Sequence, residues 1–123
     1  MSSRNRKAMK EYFGGCHCEE IKFKFYSNET VEIWKCNCSI CKMQDYEHLF
    51  ILHNDFEIIK GSKLLSEYSF GSRTAKHLFC KNCGIKSFYQ PLSHPDSYSI
   101  NLICVEEKRP KINNIVYFDG KNK

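Results

Sequence analysis

The chain has 123 residues, 41% of them hydrophobic, with eight cysteines and a formal net charge of +5. That length and apolar fraction predict a single domain with a modest core. The charge is too mild to define a nucleic-acid or membrane protein. Its N-terminal excess, Arg4, Arg6, Lys7 and Lys10, reads as a solvated tail over residues 1–11 with weak, unspecific attraction to nucleic acid. Met1 to Lys10 holds no apolar run, so neither a secretory signal nor a membrane span is expected. The expected setting is intracellular, cytoplasmic or nuclear. In such a reducing compartment, clustered cysteines favour metal over disulfides.

After the tail comes Tyr12-Phe13-Gly14-Gly15-Cys16-His17-Cys18. The paired glycines predict a tight turn. In an extended segment residues two apart share a face, so Cys16 and Cys18 can grip one ion while His17 points away to the surface. Ile21, Phe23 and Phe25 then alternate with Lys22, Lys24 and Tyr26, which predicts a half-buried strand. Ser27 to Thr30 is a turn. Val31, Ile33 and Trp34 form a second strand that runs into Cys36.

Cys36-Asn37-Cys38-Ser39-Ile40-Cys41 packs three thiols into six residues. Such near neighbours do not easily reach relaxed disulfide geometry. A tight turn can instead aim three sulfurs at one ion about 2.3 Å away. A closed structural zinc site takes four ligands. Either a fourth ligand comes from elsewhere in the chain, or one position stays open to water or substrate. A short helix is expected over Ser39 to Glu47, with Lys42, Gln44 and Asp45 at the mouth of any pocket.

Leu49 to Leu52, Phe56 to Ile59 and Leu64 to Phe70 are strand-like, broken by Lys60-Gly61-Ser62 and Gly71-Ser72. Short strands at close spacing predict an all-β domain. Phe79-Cys80-Lys81-Asn82-Cys83-Gly84 has the form of a zinc knuckle, in which Gly84 relieves the turn. Phe88 to Gln90 resumes a strand, and Pro91 to Asp96 is a loop. Ile100, Leu102 and Cys104 alternate with Asn101, Ile103 and Val105 on a further strand. Ile115 to Phe118 is the last strand before a charged tail at residues 121–123. No repeat or linker divides residues 12–120.

Seven cysteines divide into four and three. The outer pairs, Cys16/Cys18 and Cys80/Cys83, each supply half of a closed four-thiolate site. Cys36, Cys38 and Cys41 form a three-thiolate site of the kind that keeps one position open. Cys16/Cys18 could instead join part of the middle cluster. Cys104 reads either as a buried small hydrophobe or as a neighbour of the open zinc.

These three cysteine motifs, with Lys60-Gly61, Tyr68-Ser69-Phe70, Lys86-Ser87-Phe88-Tyr89 and Phe118-Asp119-Gly120, resemble the domain of the glutathione-dependent formaldehyde-activating enzymes. Within that family the sequence is most similar to centromere protein V and its animal relatives. The resemblance covers roughly Tyr12 to Gly120. It implies a mainly β fold, a β-tent of several small coiled sheets braced by two zinc ions. It implies a structural zinc at Cys16, Cys18, Cys80 and Cys83, and a catalytic-type zinc at Cys36, Cys38 and Cys41. The implied chemistry is that of a carbon–sulfur lyase: formaldehyde condenses reversibly with glutathione to S-hydroxymethylglutathione. Bacterial members usually continue the middle motif with an arginine and a glycine, where this chain has Lys42-Met43-Gln44-Asp45.

Such chemistry needs a thiolate, and a free thiol with a pKa of about 8.5 is mostly protonated at neutral pH. Coordination to zinc deprotonates a thiol, and zinc also polarises an aldehyde. Three thiolates leave the site anionic, which weakens both effects. The product oxygen needs a proton, for which His48, His53, His77 and His94 are candidates. Lys42, Arg73 or Lys76 could meet a glutathione carboxylate. The plainer reading is that these are packing histidines and solvated charges. The alternative function is a non-enzymatic zinc-stabilised scaffold for a protein, cytoskeletal or chromatin partner, its open position filled by Cys104, a histidine or a neighbouring subunit.

Overall fold

The computed structural model describes residues 9–37, 39–69, 76–91, 94–106 and 108–119, and at positions 39, 41 and 44 the backbone alone. Expectations for Arg4, Arg6 and Lys7, for Phe70 to Arg73, for Cys38, and for Gly120 onward lie outside these residues. The chain is mainly β, in small sheets, as the spacing of its strands predicts.

The first sheet has three antiparallel strands: β1 (Lys10–Gly15), β2 (Lys22–Ser27) and β5 (Phe56–Lys60), with β2 in the middle. Alternation along β2 works as predicted: Phe23 and Phe25 are fully buried, and Lys22 and Lys24 are partly exposed. β1 begins inside the segment that reads as a tail. It continues through Gly14 and Gly15, which pair with Phe23 and Lys22. The paired glycines are therefore strand residues, not a turn. Close approach demands the second of them, since a Cβ on Gly15 would lie 2.2 Å from the Ile21 carbonyl oxygen.

The second sheet contains β3 (Thr30–Cys36), β4 (His48–Leu52), β8 (Phe88–Tyr89), β9 (Ser97–Asn101) and β10 (Lys111–Phe118), in the order β10-β3-β4-β9-β8. β10 runs parallel to β3 and forms an exposed edge. A register irregularity between Ile112 and Asn114 interrupts that edge, which discourages pairing with another chain. The third sheet is the pair β6 (Leu65–Tyr68) and β7 (His77–Cys80).

Phe23, Phe56 and Phe88 join the first two sheets, with ring centroids 4.8 to 5.5 Å apart. Each buried ring of this kind contributes about 1.5–3 kcal/mol.

Two elements differ from their predicted form. α1 (Ser39–Gln44) is shorter than expected, because Asp45 takes a left-handed conformation, φ +50°, and stops it. Leu102 to Cys104 is one turn of 3-10 helix, not strand. There the Asn101 side-chain oxygen accepts hydrogen bonds from the backbone N–H groups of Ile103 and Glu47 and turns the chain. Among the described residues, no helix is long and apolar enough to cross a membrane.

Candidate metal centre and adjoining cavities

Cys16 and Cys18 lie in the turn between β1 and β2. The turn is closed by hydrogen bonds from Cys16 N to Ile21 O and from Glu19 N to Cys16 O. Glu19 adopts φ +66° there. The two thiols meet through this turn rather than by sharing a strand face, and His17 is exposed. Cys80 ends β7, and Cys83 follows in a second turn. Gly84, at φ +79°, completes that turn by donating its N–H to Cys80 O at 2.8 Å.

The structure brings these four cysteines together from two distant hairpins, with all their sulfurs within 4.8 Å of one another. Cys16 Sγ is 3.5 Å from Cys18 Sγ, which is 3.7 Å from Cys80 Sγ. A tetrahedron of sulfurs around an ion at 2.3 Å has edges of about 3.8 Å, so the spacing suits zinc. Backbone N–H groups also point at the sulfurs: Ile21 N at Cys16, and Asn82 N and Cys83 N at Cys80. Such donors support thiolate charge. Burial pushes the Cys16 thiol up to about 12. Burial also acts against Cys83, but hydrogen bonds from the Ile85 and Cys18 backbones and from neighbouring thiols draw it down to about 6. A cation bound at the centre of the four would displace thiol protons.

Cys104 stands beside this group. Burial, and then the nearby charge of Cys83, pushes it up to about 11. Its carbonyl oxygen would be 2.9 Å from a Cβ on Gly14. It is not one of the four clustered ligands.

Of the middle cluster, Cys36 is the cysteine whose side chain is described. Cys36 ends β3, half-buried, and Cys41 lies in α1. The positions of Cys38 and of the Cys41 side chain lie outside the described residues. Cys36 opens onto a cavity of about 430 Å³ with Lys35, Asn37, Lys42, Asp45, Tyr46 and Asp119 among its walls. Of the three residues expected at a pocket, Lys42 and Asp45 line this cavity and the Gln44 side chain lies outside the described residues; Asp45 pairs with Lys35 at 3.0 Å. Asn37 pins the rim to the end of β10 through Asp119 Oδ1 at 2.9 Å.

The candidate proton donors separate. His53 is exposed and lies 2.7 Å from Gln90 Oε1. His94 stacks on Phe50 at 3.7 Å. His48 is buried, with Nδ1 2.8 Å from Ser99 Oγ. Burial, assisted by the charge of Lys86, lowers it to about 3. His77 is buried as well, and burial and Lys86 lower it to about 4. Lys76 forms an exposed ion pair with Glu67.

Sequence reasoning missed Lys86. The residue is only 6% exposed, and its Nζ donates to His77 Nδ1 at 2.7 Å. It also lies 3.8 Å above the Tyr89 ring and 5.0 Å from the Tyr46 ring. Its sequence signal was its place in Lys86-Ser87-Phe88-Tyr89, a stretch that follows the family pattern, but nothing there marks the lysine as buried.

Two comparisons with known proteins bear on this geometry. The family model described as glutathione-dependent formaldehyde-activating enzyme matches residues 11–118. The crystal structure of a Rhodobacter sphaeroides protein, a Northeast Structural Genomics target, is similar with a TM-score of 0.72 and 27% identity, over 85% of this chain and 99% of that one.

Proposed function

We propose that this chain, which belongs to the family of glutathione-dependent formaldehyde-activating enzymes, accelerates the reversible addition of a small thiol such as glutathione to formaldehyde. In this reading Cys16, Cys18, Cys80 and Cys83 hold a structural zinc, and Cys36, Cys38 and Cys41 hold a second, so that two ions bind per chain. The domain spans residues 12–120 and works inside the cell, in cytoplasm or nucleus. Within the family, its motifs support a place near centromere protein V and its animal relatives.

The observation that carries the reading is the position of Cys36. It stands apart from the four clustered thiols and opens onto a cavity large enough for a small substrate. A zinc ion bound there would supply the positive charge that keeps a thiol ionised or polarises an aldehyde. The chain's own residues do the rest. Lys42, at the cavity wall, offers charge to a glutathione carboxylate. The Lys35–Asp45 pair and the Asn37–Asp119 bond tie together residues of the cavity wall.

Thiol–aldehyde addition is already fast and reversible in water, so the test must read a rate. Exchange NMR with labelled formaldehyde should show a faster approach to the S-hydroxymethylglutathione equilibrium. Cys38→Ser should abolish the effect and leave the fold intact. No acceleration with any of several thiols would defeat the proposal. The comparisons give no support to the alternative of a non-enzymatic scaffold.

A further inference from the structure

We infer that the groove between the start of β1 and the segment leading into β10 binds a small organic carboxylate, a monoanion held by Lys108, Arg109 and the Tyr12 hydroxyl. The site stands apart from the function proposed above, since the groove shares no wall residue with the Cys36 cavity.

The groove has a volume of about 600 Å³ and is lined by Lys10, Glu11, Tyr12, Glu29, Lys108 and Arg109. Small-molecule sites span about 300–1,000 Å³, so the space suits a molecule with a body rather than a bare ion. Its walls come from three segments, each anchored through the backbone. β1 pairs with β2 along its whole length. Glu29 lies in the turn before β3, where its carbonyl oxygen accepts from Lys111 N at 2.8 Å. The segment that carries Lys108 and Arg109 is tied down on both sides, by that same bond and by Glu106 N donating to Phe13 O at 2.8 Å. Binding there orders little new chain, which favours affinity.

The charges in the walls do not cancel. Lys10 pairs with Glu29 at 3.2 Å. Glu11 accepts from the Tyr26 hydroxyl and pairs at 3.4 Å with Lys24, a lysine that it shares with Glu57. Among the described residues Lys108 and Arg109 form no ion pair. The Arg109 guanidinium gives one N–H to Val105 O at 2.9 Å, and it carries five donors in all. Two cations without a counter-charge call for an anion, and the planar fork of an arginine matches a carboxylate through two parallel bonds. Glu11 and Glu29 stand in the same walls and would repel a dianion. Three positive and two negative groups face the groove, which balances one negative charge on the ligand.

Tyr12 supplies an independent observation. The residue is 7% exposed, with its ring stacked on Phe25 at 5.7 Å. Its hydroxyl has no hydrogen-bond partner among the described residues. Burial and then the charge of Glu29 push that hydroxyl up, while Lys10 opposes them. Both of those residues are groove walls, so the hydroxyl lies at the groove end of a buried ring. A buried tyrosine usually finds a partner for its O–H. This one is placed to donate to a carboxylate oxygen held by the two cations.

The experiment is an NMR titration of zinc-loaded full-length protein with N-acetylglycine, a monoanion with an organic body, and with sulfate, a dianion. N-acetylglycine should shift the backbone amides of Tyr12, Glu29, Lys108 and Arg109 and saturate at millimolar concentration. Tyr12→Phe keeps the ring, removes only the hydroxyl, and should weaken binding about threefold. Lys108→Gln and Arg109→Gln should each weaken it about fivefold or more. Should Arg109→Gln fail to fold, the Tyr12→Phe and Lys108→Gln variants decide. Shifts that never saturate, saturable shifts only elsewhere on the chain, or wild-type affinity in those two variants would overturn the site. Sulfate that binds as tightly as N-acetylglycine would overturn the assignment to a carboxylate.

Discussion

The two cysteine regions use one residue type for opposite ends. At Cys16, Cys18, Cys80 and Cys83, two hairpin turns far apart in sequence close on each other, and backbone N–H groups already face the sulfurs. At Cys36 the thiol ends a strand, and the space beside it is a cavity with charged walls. In the function proposed above, thiolates are structural where two segments complete the shell between them, and available for chemistry where a single short segment supplies them all.

The strongest way to break this comparison is to remove one ligand from each region. Cys80→Ser or Cys83→Ser should leave an unfolded or aggregating chain. Binding of a structural zinc is worth about 10–16 kcal/mol and is folding energy, more than a small domain holds in reserve. Cys38→Ser should leave a folded chain that has lost one zinc. Circular dichroism with metal analysis separates the two. Equal unfolding of both variants would abolish the distinction.

Acid sharpens the comparison from another side. Burial holds His48 at about 3 and His77 at about 4, against about 6.5 in an unfolded chain. Below pH 6.5 the unfolded state binds these protons and the folded state does not. The stability they contribute is therefore whole above that pH and falls as pH drops toward 4, by on the order of 3 kcal/mol for His48. Urea unfolding of wild type and His48→Asn across this range should show a shallower pH slope in the variant. Parallel slopes would mean that protonation of the metal thiolates, not of His48, dominates acid sensitivity.

A smaller effect is expected from the strand that delivers the first pair of cysteines. Gly15→Ala places a Cβ 2.2 Å from the Ile21 carbonyl oxygen. The strand must shift, at a cost of about 1–3 kcal/mol. Denaturant midpoints measure the loss, and zinc retention at the outer site should weaken before any change at Cys36. The smallest effect concerns the N-terminal basic residues. Titration of a labelled duplex at about 150 mM salt, where screening acts within about 8 Å, should show weak binding without sequence preference.

Much of this was legible in the sequence because its signals are local. Alternation through Phe23 and Phe25 marks a strand in any context, and the knuckle at Cys80 and Cys83 dictates its own turn. Spacing also offered the outer pairs, Cys16/Cys18 and Cys80/Cys83, as halves of one site, and the structure brings those four together. The glycines were misread because their reason lies across the hairpin: the Ile21 carbonyl that excludes a side chain at Gly15 comes from the far side of the turn, just before β2. Leu102 to Cys104 was misread because the Asn101 side chain, which bonds Ile103 N and Glu47 N, overrides an alternating pattern. Lys86 was invisible as a buried group. Its partners His77, Tyr46 and Tyr89 come from three separate segments, and no spacing rule joins them.

The most direct test of the division between the two regions is the metal itself. The protein should be purified with cobalt in place of zinc, its metal-to-protein ratio measured, and its visible spectrum followed as glutathione is added. Two ions per chain are expected. One set of bands should stay unchanged, as for a closed four-thiolate site, and the other should shift as a new sulfur ligand arrives. A single ion per chain, or two whose spectra ignore the thiol, would contradict the account.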